Sequence, residues 1–417
     1  MLEVLDELTL NCIKCGYCKA PCPVYREINE EPASPRGRVR LVRGVSTGEQ
    51  SLSSKYRSLI DLCISCRACT VECPSGVRPN QAILVARHHI GIERGLPLAK
   101  RIIFRRLMTA RRMFPNTAKL LGVLQRLVLI RSPYSPARVV LPIVGLPINK
   151  AIPNFQIRTL RDRLPKLIPA TDRKYRVAYF VGCGADLLYP EIGEAVVGLL
   201  NHFGVEVVIP DQMCCGTPVF TSGDFDAASR LARFNIEQLS TLDVDAIITA
   251  CGSCGTSIKH EWRDLLHLDV PDSLTTKVYD IAQFLTQCLG VNIAGDLGAV
   301  TTYHDSCHLL RGMNVGSEPR LLLRSISEYV EMPSAETCCG AGGAYSIYHP
   351  DISRKIGMRK AESILTSGAD LIATGCPVCV LQIREMLSLA RQPREVQHTA
   401  VVLWKAISQK TSHLANR

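Results

Sequence analysis

Apolar and polar positions fall into three regimes along the chain. Over residues 85–130, apolar pairs alternate with basic pairs (Lys100–Arg101, Arg105–Arg106, Arg111–Arg112), the spacing of amphipathic helix. Over 132–169, prolines stand at 133, 136, 142, 147, 153, 165 and 169, which predicts an irregular linker. Beyond it, apolar runs predict strands at 176–183 (RVAYFVGC), 205–210 (VEVVIP) and 245–251 (DAIITAC), with helix-period stretches between them. The same succession returns at 299–307 (AVTTYHDSC), 328–333 (EYVEMP) and 370–376 (DLIATGC). Strands alternating with helices predict parallel βαβ units, so each copy is expected to be a small α/β lobe. The two lobes are expected to be related by a pseudo-twofold, with their loops on a shared face.

Cysteine changes this picture most. The 417 residues contain 19 cysteines, and the spacings form two internal repeats. Cys12, Cys15, Cys18 and Cys22 recur 51 positions later as Cys63, Cys66, Cys69 and Cys73. Cys183, Cys214, Cys215, Cys251 and Cys254 recur about 124 positions later as Cys307, Cys338, Cys339, Cys376 and Cys379. Only Cys288 stands outside the repeats, in the apolar helical run AQFLTQCLGV, where a buried structural thiol is expected. The N-terminus, MLEVLDELTLNC, lacks the basic-then-apolar pattern of a secretory signal, so a cytoplasmic setting is expected and disulfides are not. Metal is the remaining use for so many thiols.

Cys12-x2-Cys15-x2-Cys18-x3-Cys22-Pro23 has the bacterial ferredoxin spacing, and the second set ends in Cys73-Pro74. In that arrangement the fourth thiolate serves the other cluster. One [4Fe–4S] cluster is expected on Cys12, Cys15, Cys18 and Cys73, and its neighbour on Cys63, Cys66, Cys69 and Cys22. Structural zinc is the competing reading, but zinc sites normally use separated CxxC pairs. In the longer repeat, each lobe offers five thiolates, one more than tetrahedral zinc or a simple cubane requires. Adjacent cysteines reach different irons of a cluster more easily than one metal ion. Gly216, Gly340, Gly252 and Gly255 permit close backbone approach to a bulky ligand.

The duplicated Cx(30)CCGx(34–36)CxxC pattern behind two ferredoxin motifs resembles the cysteine-rich CCG-domain proteins. These include the iron–sulfur subunits of glycolate and D-lactate oxidases and the D subunit of heterodisulfide reductase. SPRGRVRLVRG at 34–44, CPSGV at 73–77 and HDSCH at 304–308 look like the glycolate oxidase subunits. The resemblance implies an α+β multidomain protein: a bis-[4Fe–4S] ferredoxin-like helical domain (1–86), a basic helical and proline-rich connector (87–173), and two CCG domains (174–292 and 297–417). It implies an oxidoreductase subunit relaying electrons between a partner's FAD and a quinone or other carrier. The alternative it implies is a heterodisulfide-reductase-like catalytic subunit. In that case paired noncubane [4Fe–4S] clusters, fed by a membrane cytochrome or soluble hydrogenase, reduce a disulfide. A wire within a larger respiratory or electron-bifurcating assembly is a third. On this analogy Cys183, Cys214, Cys215, Cys251 and Cys254 form one site, and Cys307, Cys338, Cys339, Cys376 and Cys379 the other. Glycolate oxidase subunits often lack some of these ten cysteines, and this chain has all of them. Cubane and noncubane forms both stay open.

Charge adds one more expectation. The net charge is +11, yet residues 87–176 hold 20 Lys/Arg against three acids, so the rest of the chain is net acidic. That segment is expected to dock an acidic partner, or a membrane partner and anionic headgroups; no nucleic-acid module is visible. The longest apolar run, 139–148, is too short and proline-broken to span a membrane, so membrane association is expected only at the periphery, through a partner. No flavin or nucleotide loop is visible, since the glycines at 339–346 lack a strand–GxGxxG–helix context. His304 and His308, on either side of Cys307, are read as loop-holding residues or as donors to a cluster, and His88–His89 as packing residues. Arg36, Arg38 and Arg40 either stabilise reduced clusters or form ion pairs.

Overall fold

The computed structural model describes residues 2–128, 154–291, 293 and 295–415. Residues 2–93 fold into helices and helical turns, with no strand among the described residues. Local chemistry sets the boundaries. Ser34 accepts a hydrogen bond from the Gly37 amide at 3.0 Å and Pro35 takes the first helical position, which starts helix Pro35–Ser46. Pro79 starts helix Pro79–Glu93 in the same way. That helix runs across residue 87 and is buried without a break from Pro79 to Arg87, because it is wedged between the N-terminal helices and the first lobe. The exposed amphipathic pattern therefore begins later, with helix Leu98–Ile102, the π-turn Ile103–Met108 and helix Met113–Val128. Most of the expected proline-rich linker, residues 129–153, lies outside the described residues.

Two parallel sheets follow. The first contains β1 (Leu167–Ile168), β2 (Tyr175–Phe180), β3 (Val205–Val208), β4 (Ala246–Thr249) and β5 (Val278–Asp280), in the order β1-β3-β2-β4-β5. All are parallel except β1, which runs antiparallel to β3, so the end of the linker is an edge strand and not irregular. The second contains β6 (Val300–His304), β7 (Glu328–Tyr329), β8 (Leu371–Thr374) and β9 (Glu395–His398), in the order β7-β6-β8-β9. β2 and β6 are equivalent, since Phe180 pairs with Thr249 as His304 pairs with Thr374. β5 and β9 were not expected: three residues (VYD) and a half-polar EVQH carry too little apolar alternation to read as strands.

The strands stop earlier than their apolar runs, which changes where the cysteines fall. Cys183 is the second residue of helix Gly182–Leu187 and Cys307 the first of helix Cys307–Met313. Cys251 and Cys376 cap helices Gly252–Thr256 and Pro377–Leu389, which hold Cys254 and Cys379 in their first turns. Only Cys214 and Cys215 occupy a loop, between β3 and the turn that begins at Thr217.

The lobes meet by exchanging these helices. Helix Cys307–Met313 packs on Gly252–Thr256, and Gly182–Leu187 packs on Pro377–Leu389. The contact is close on both sides of the seam. A Cβ at Gly252 would stand 2.4 Å from the Leu309 nitrogen, and one at Gly184 would stand 2.9 Å from Pro377 Cβ. One hydrophobic core joins Leu5, Val42 and Ile83 of the N-terminal helices to Phe180, Phe220 and Trp262 of the first lobe. A second joins Tyr179 and Ile248 of the first lobe to Tyr303 and Leu403 of the second.

Gly252→Ala tests the seam. The added methyl meets backbone, which cannot swing aside, so the expected loss is about 1–3 kcal/mol. It reads as a lowered thermal unfolding midpoint; an unchanged midpoint would show that the seam can open without cost.

Candidate metal centres

The two C-x2-C-x2-C loops turn alike. Lys14 and Gly16 in the first, and Ser65 and Arg67 in the second, all have φ between +59° and +88°, so the sequence period of 51 is also a backbone period. Left-handed residues curl each loop back on itself, and three of the four carry steric strain that glycine would avoid. Arg67 is anchored by an ion pair with Glu261 of the first lobe. Cys12, Cys15, Cys18 and Cys73 line one small cavity with Arg36 and Pro74. Cys22, Cys63, Cys66 and Cys69 line another with Arg38 and Arg67. The fourth cysteine of each motif thus sits with the first three of the other.

The three alternate arginines of helix Pro35–Ser46 have separate jobs. Arg36 borders the first cavity, donates to the Lys14 carbonyl at 3.0 Å and holds the Glu31 carboxyl down at about 2. Arg38 is fully buried beside the second cavity; its Nε donates to the Leu59 carbonyl at 3.0 Å while Nη2 has no partner. Arg40 is exposed and reaches only Glu49.

Sequence reasoning missed Arg87, a buried residue of the long helix with no motif around it. Its guanidinium donates to the carbonyls of Ile60, Asp61 and Cys63 at 3.2, 3.0 and 2.5 Å, and to that of Thr221 at 2.8 Å. One side chain therefore ties the loop bearing Cys63 to the first lobe.

In the lobes, the ten cysteines form a single chain of neighbouring thiols. Cys214 donates to Cys183 and Cys215, and Cys254 to Cys215 and Cys251. Cys251 neighbours Cys376 across the seam, Cys379 lies between Cys376 and Cys339, and Cys338 between Cys339 and Cys307. Cys339 and Cys379 sulfurs are 3.5 Å apart. Cys215, Cys339 and Cys376 are held below the ordinary thiol range because each lies in hydrogen-bond reach of two neighbouring thiols. Their neighbours Cys254, Cys338 and Cys379 are pushed well above it, and Cys251, drawn down by Cys254 but pushed up by Cys376 and by burial, rises to about 12.

Nine of the ten line one cavity of about 470 Å³, and Cys63 and Cys66 of the N-terminal region share its wall. Cys66 and Cys307 are near enough for each to perturb the other's charge. Arg311 stands between them, donating to the Cys66 and Glu336 carbonyls. His308 joins all three parts of the fold: Nε2 donates to the Ser65 carbonyl at 3.0 Å, leaving Nδ1 to accept from the Ser253 hydroxyl at 2.8 Å. It is a loop-holding residue.

His304 is different. It is fully buried, one ring nitrogen lies within 4.8 Å of both the Cys339 and Cys379 sulfurs, and the ring helps hold Cys339 below the ordinary thiol range. The equivalent residue of the first lobe is Phe180. His88 stacks on Phe225 with ring centroids 4.3 Å apart, and His89 is buried beside Glu93, both in packing roles. Cys288 is half-buried against the second core. The glycine loop at 339–346 packs on the second N-terminal site: a Cβ at Gly342 would stand 2.5 Å from Ile64.

These donors fit iron–sulfur clusters. Soft thiol sulfurs are gathered in groups, and the Arg38 nitrogen without a partner among the described residues and the His304 ring beside Cys339 are suited to anionic sulfur. Isolated buried thiolates are costly without such a partner.

Comparisons with known proteins agree. Residues 9–77 match the family described as "4Fe-4S dicluster domain", and residues 177–259 and 301–384 each match "Cysteine-rich domain". The chain is 34% identical to the "Probable glycolate oxidase iron-sulfur subunit" of Bacillus subtilis, over 98% of this chain and 97% of that protein. It is 34% identical to "Lactate utilization protein A" of an Exiguobacterium species, over 56% of this chain and 98% of that one. It is 26% identical to the "Glycolate oxidase iron-sulfur subunit" of Escherichia coli, over 89% of each chain.

Arg87→Met removes the fork and leaves buried carbonyls unpaired, at an expected cost of at least about 2 kcal/mol. Urea unfolding of the purified protein measures it. The same variant is expected to lose iron from the site nearest Cys63, and full iron content with unchanged stability would contradict the assignment.

Proposed function

The chain belongs to the glycolate oxidase iron–sulfur subunit family, and on that premise we propose that it is the electron-transfer subunit of a flavin-dependent 2-hydroxyacid (glycolate or lactate) oxidoreductase. It relays electrons between a partner's FAD and a quinone or other carrier. The observation that carries this reading is the continuity of the thiol groups, from the first N-terminal set through the second to the lobes. Bound [4Fe–4S] clusters supply one-electron redox centres.

The chain's own residues hold, shield and orient these centres. Cys12, Cys15, Cys18 and Cys73 hold the first, and Cys22, Cys63, Cys66 and Cys69 the second. Cys183, Cys214, Cys215, Cys251 and Cys254 form the third site, and Cys307, Cys338, Cys339, Cys376 and Cys379 the fourth. Cys15 is the one exposed cysteine among the described residues, and Ile13 and Tyr17 beside it are 69% and 68% exposed. That end is where the flavin-bearing partner docks, because short separation favours electron transfer and this site carries the one fully exposed cysteine among the described residues. The lobes' cavity is where the other carrier is met. No helix among the described residues is long and apolar enough to cross a membrane, so contact with a membrane pool is peripheral.

A second reading rests on the cavity that both lobes share across the Cys251–Cys376 contact. There, paired noncubane clusters would reduce a disulfide, as in heterodisulfide reductases. Purification of the full chain without oxygen from its native host separates the readings. On the first, a FAD-containing subunit copurifies, glycolate or lactate generates new EPR signals, and iron is about 12–16 atoms per chain. A haem b membrane protein in place of FAD, with thiol-dependent perturbation of the EPR signals, favours the second. Iron at about eight atoms per chain, as two [4Fe–4S] clusters give, with zinc in the lobes, overturns the lobe assignments in both.

His304 makes the two lobes inequivalent. His304→Phe, which copies the first lobe, is expected to retain iron while lowering the reduction potential of the second-lobe centre. The physical reason is that a hydrogen bond to sulfur favours the reduced, more negative state. An EPR-monitored redox titration reads it; unchanged potentials would remove His304 from that role.

A further inference from the structure

Helix Met113–Val128 is packed the reverse of an ordinary surface helix. Met113, Leu120 and Leu124 fall on one stripe, flanked by Leu121 and Val123, and all five are exposed, Leu120 at 59% and Met113 at 56%. The face turned to the protein carries Ala118 and Gly122, and a Cβ at Gly122 would stand 2.6 Å from the Phe155 carbonyl oxygen. The helix therefore seats itself by its small residues and presents its large aliphatic ones outward, against the rule for a surface helix. Leu98 and Ile102, one turn apart on the preceding helix, are exposed as well, at 61% and 52%.

Charge accompanies this face. No Asp or Glu occurs anywhere in residues 94–161. Arg105 and Arg111 are paired, with Asp224 and Asp211 of the first lobe. Arg101, Arg106, Arg112 and Arg126 are exposed and make no ion pair among the described residues.

We propose that this face, helices Leu98–Ile102 and Met113–Val128 with their flanking arginines, lies on an anionic lipid bilayer. Aliphatic side chains flanked by unpaired arginines, with no acid between them, match an interface that takes apolar groups and positive charge together. A nucleic acid offers nothing to a leucine stripe, and an acidic protein surface offers little. Pro97, Lys100 and Phe114 of the same segment line the central cavity, so the docked face sets the cavity beside the lipid. That last consequence rests on the proposed function, because it gives a lipid-soluble carrier a short route to the lobes. The docking itself does not.

Co-sedimentation of the cluster-loaded full chain with vesicles tests the docking without any redox readout. Binding is expected to vesicles of phosphatidylglycerol and phosphatidylcholine in equal parts, to fall with added salt, and to be absent with phosphatidylcholine alone. Leu120→Glu/Leu124→Glu and Arg101→Glu/Arg106→Glu/Arg112→Glu are each expected to weaken it at least about tenfold, with iron content and EPR signals unchanged. Failure of the wild-type chain to sediment overturns the proposal, as does equal binding to both vesicle types or full binding by both variants. Loss of a copurifying protein in the variants, with no vesicle binding by the wild type, overturns it and gives the face to that protein. None of these outcomes depends on which hydroxyacid or carrier the complex uses.

Discussion

Ten thiols gathered in a buried seam impose the constraint to which the rest of the fold answers. A thiolate buried in low-dielectric surroundings is unfavourable unless something neutralises it, and here the thiols can turn only to each other or to the metal they enclose. Bringing them together requires backbone from both lobes at one place, which explains the exchanged helices. Each lobe supplies a helix whose first turn carries cysteine, and each packs that turn against the other lobe. Gly252, Gly184 and Gly312 allow the approach: a Cβ on Gly312 would lie 2.0 Å from Thr256 Oγ1. The seam glycines and the cysteines are parts of one requirement.

The N-terminal region answers the same constraint from outside. It is not tethered beside the lobes but shares a hydrophobic core with the first and a cavity wall with both. Arg87, the Arg67–Glu261 pair, Arg311 and His308 all cross between it and the lobes. Each aims charged or polar groups at backbone carbonyls or a carboxylate, so each is directional where apolar packing is not. A relay needs fixed separations, and these contacts fix them.

Legibility in the sequence followed the kind of signal. The cysteine sets, the two lobes and the central strands were readable because each rests on a short pattern that local chemistry dictates: CxxC spacing, apolar runs, helix-period stretches between strands. β5 and β9 were not, since their pairing supplies the order that VYD and EVQH lack on their own. The long helix through residue 87 hid the burial of Arg87, because a basic residue in a basic segment reads as solvated. The crossing contact Cys251–Cys376 was hidden as well, since it belongs to the arrangement of the lobes and to neither repeat alone.

A duplication that builds two like sites also lets them diverge. β2 and β6 are in register with equivalent partners, and both end in a fully buried residue beneath the thiols. In the first lobe that residue is Phe180, part of the same apolar core as Cys214, Cys215 and Cys254. In the second it is His304, a polar ring set against the Cys339 and Cys379 sulfurs. Burying an imidazole at such depth costs about 1–3 kcal/mol of desolvation if its hydrogen bonding is unmet, a cost that an anionic sulfur at Cys339 offsets. Lys360 adds to the same difference: it is buried below the second set, donating to the Ser334 and Ala335 carbonyls, where its charge favours anionic sulfur at Cys339. Below the first set the comparable place is held by a neutral group: Asn235, fully buried, donates to the Met213 and Cys214 carbonyls. The second site is therefore the one with a buried lysine beneath it, and it is also the one that adjoins the N-terminal sites through Cys66 and Cys307. The electrostatic gradient and the order of contacts run the same way, from the exposed Cys15 inward to the second lobe.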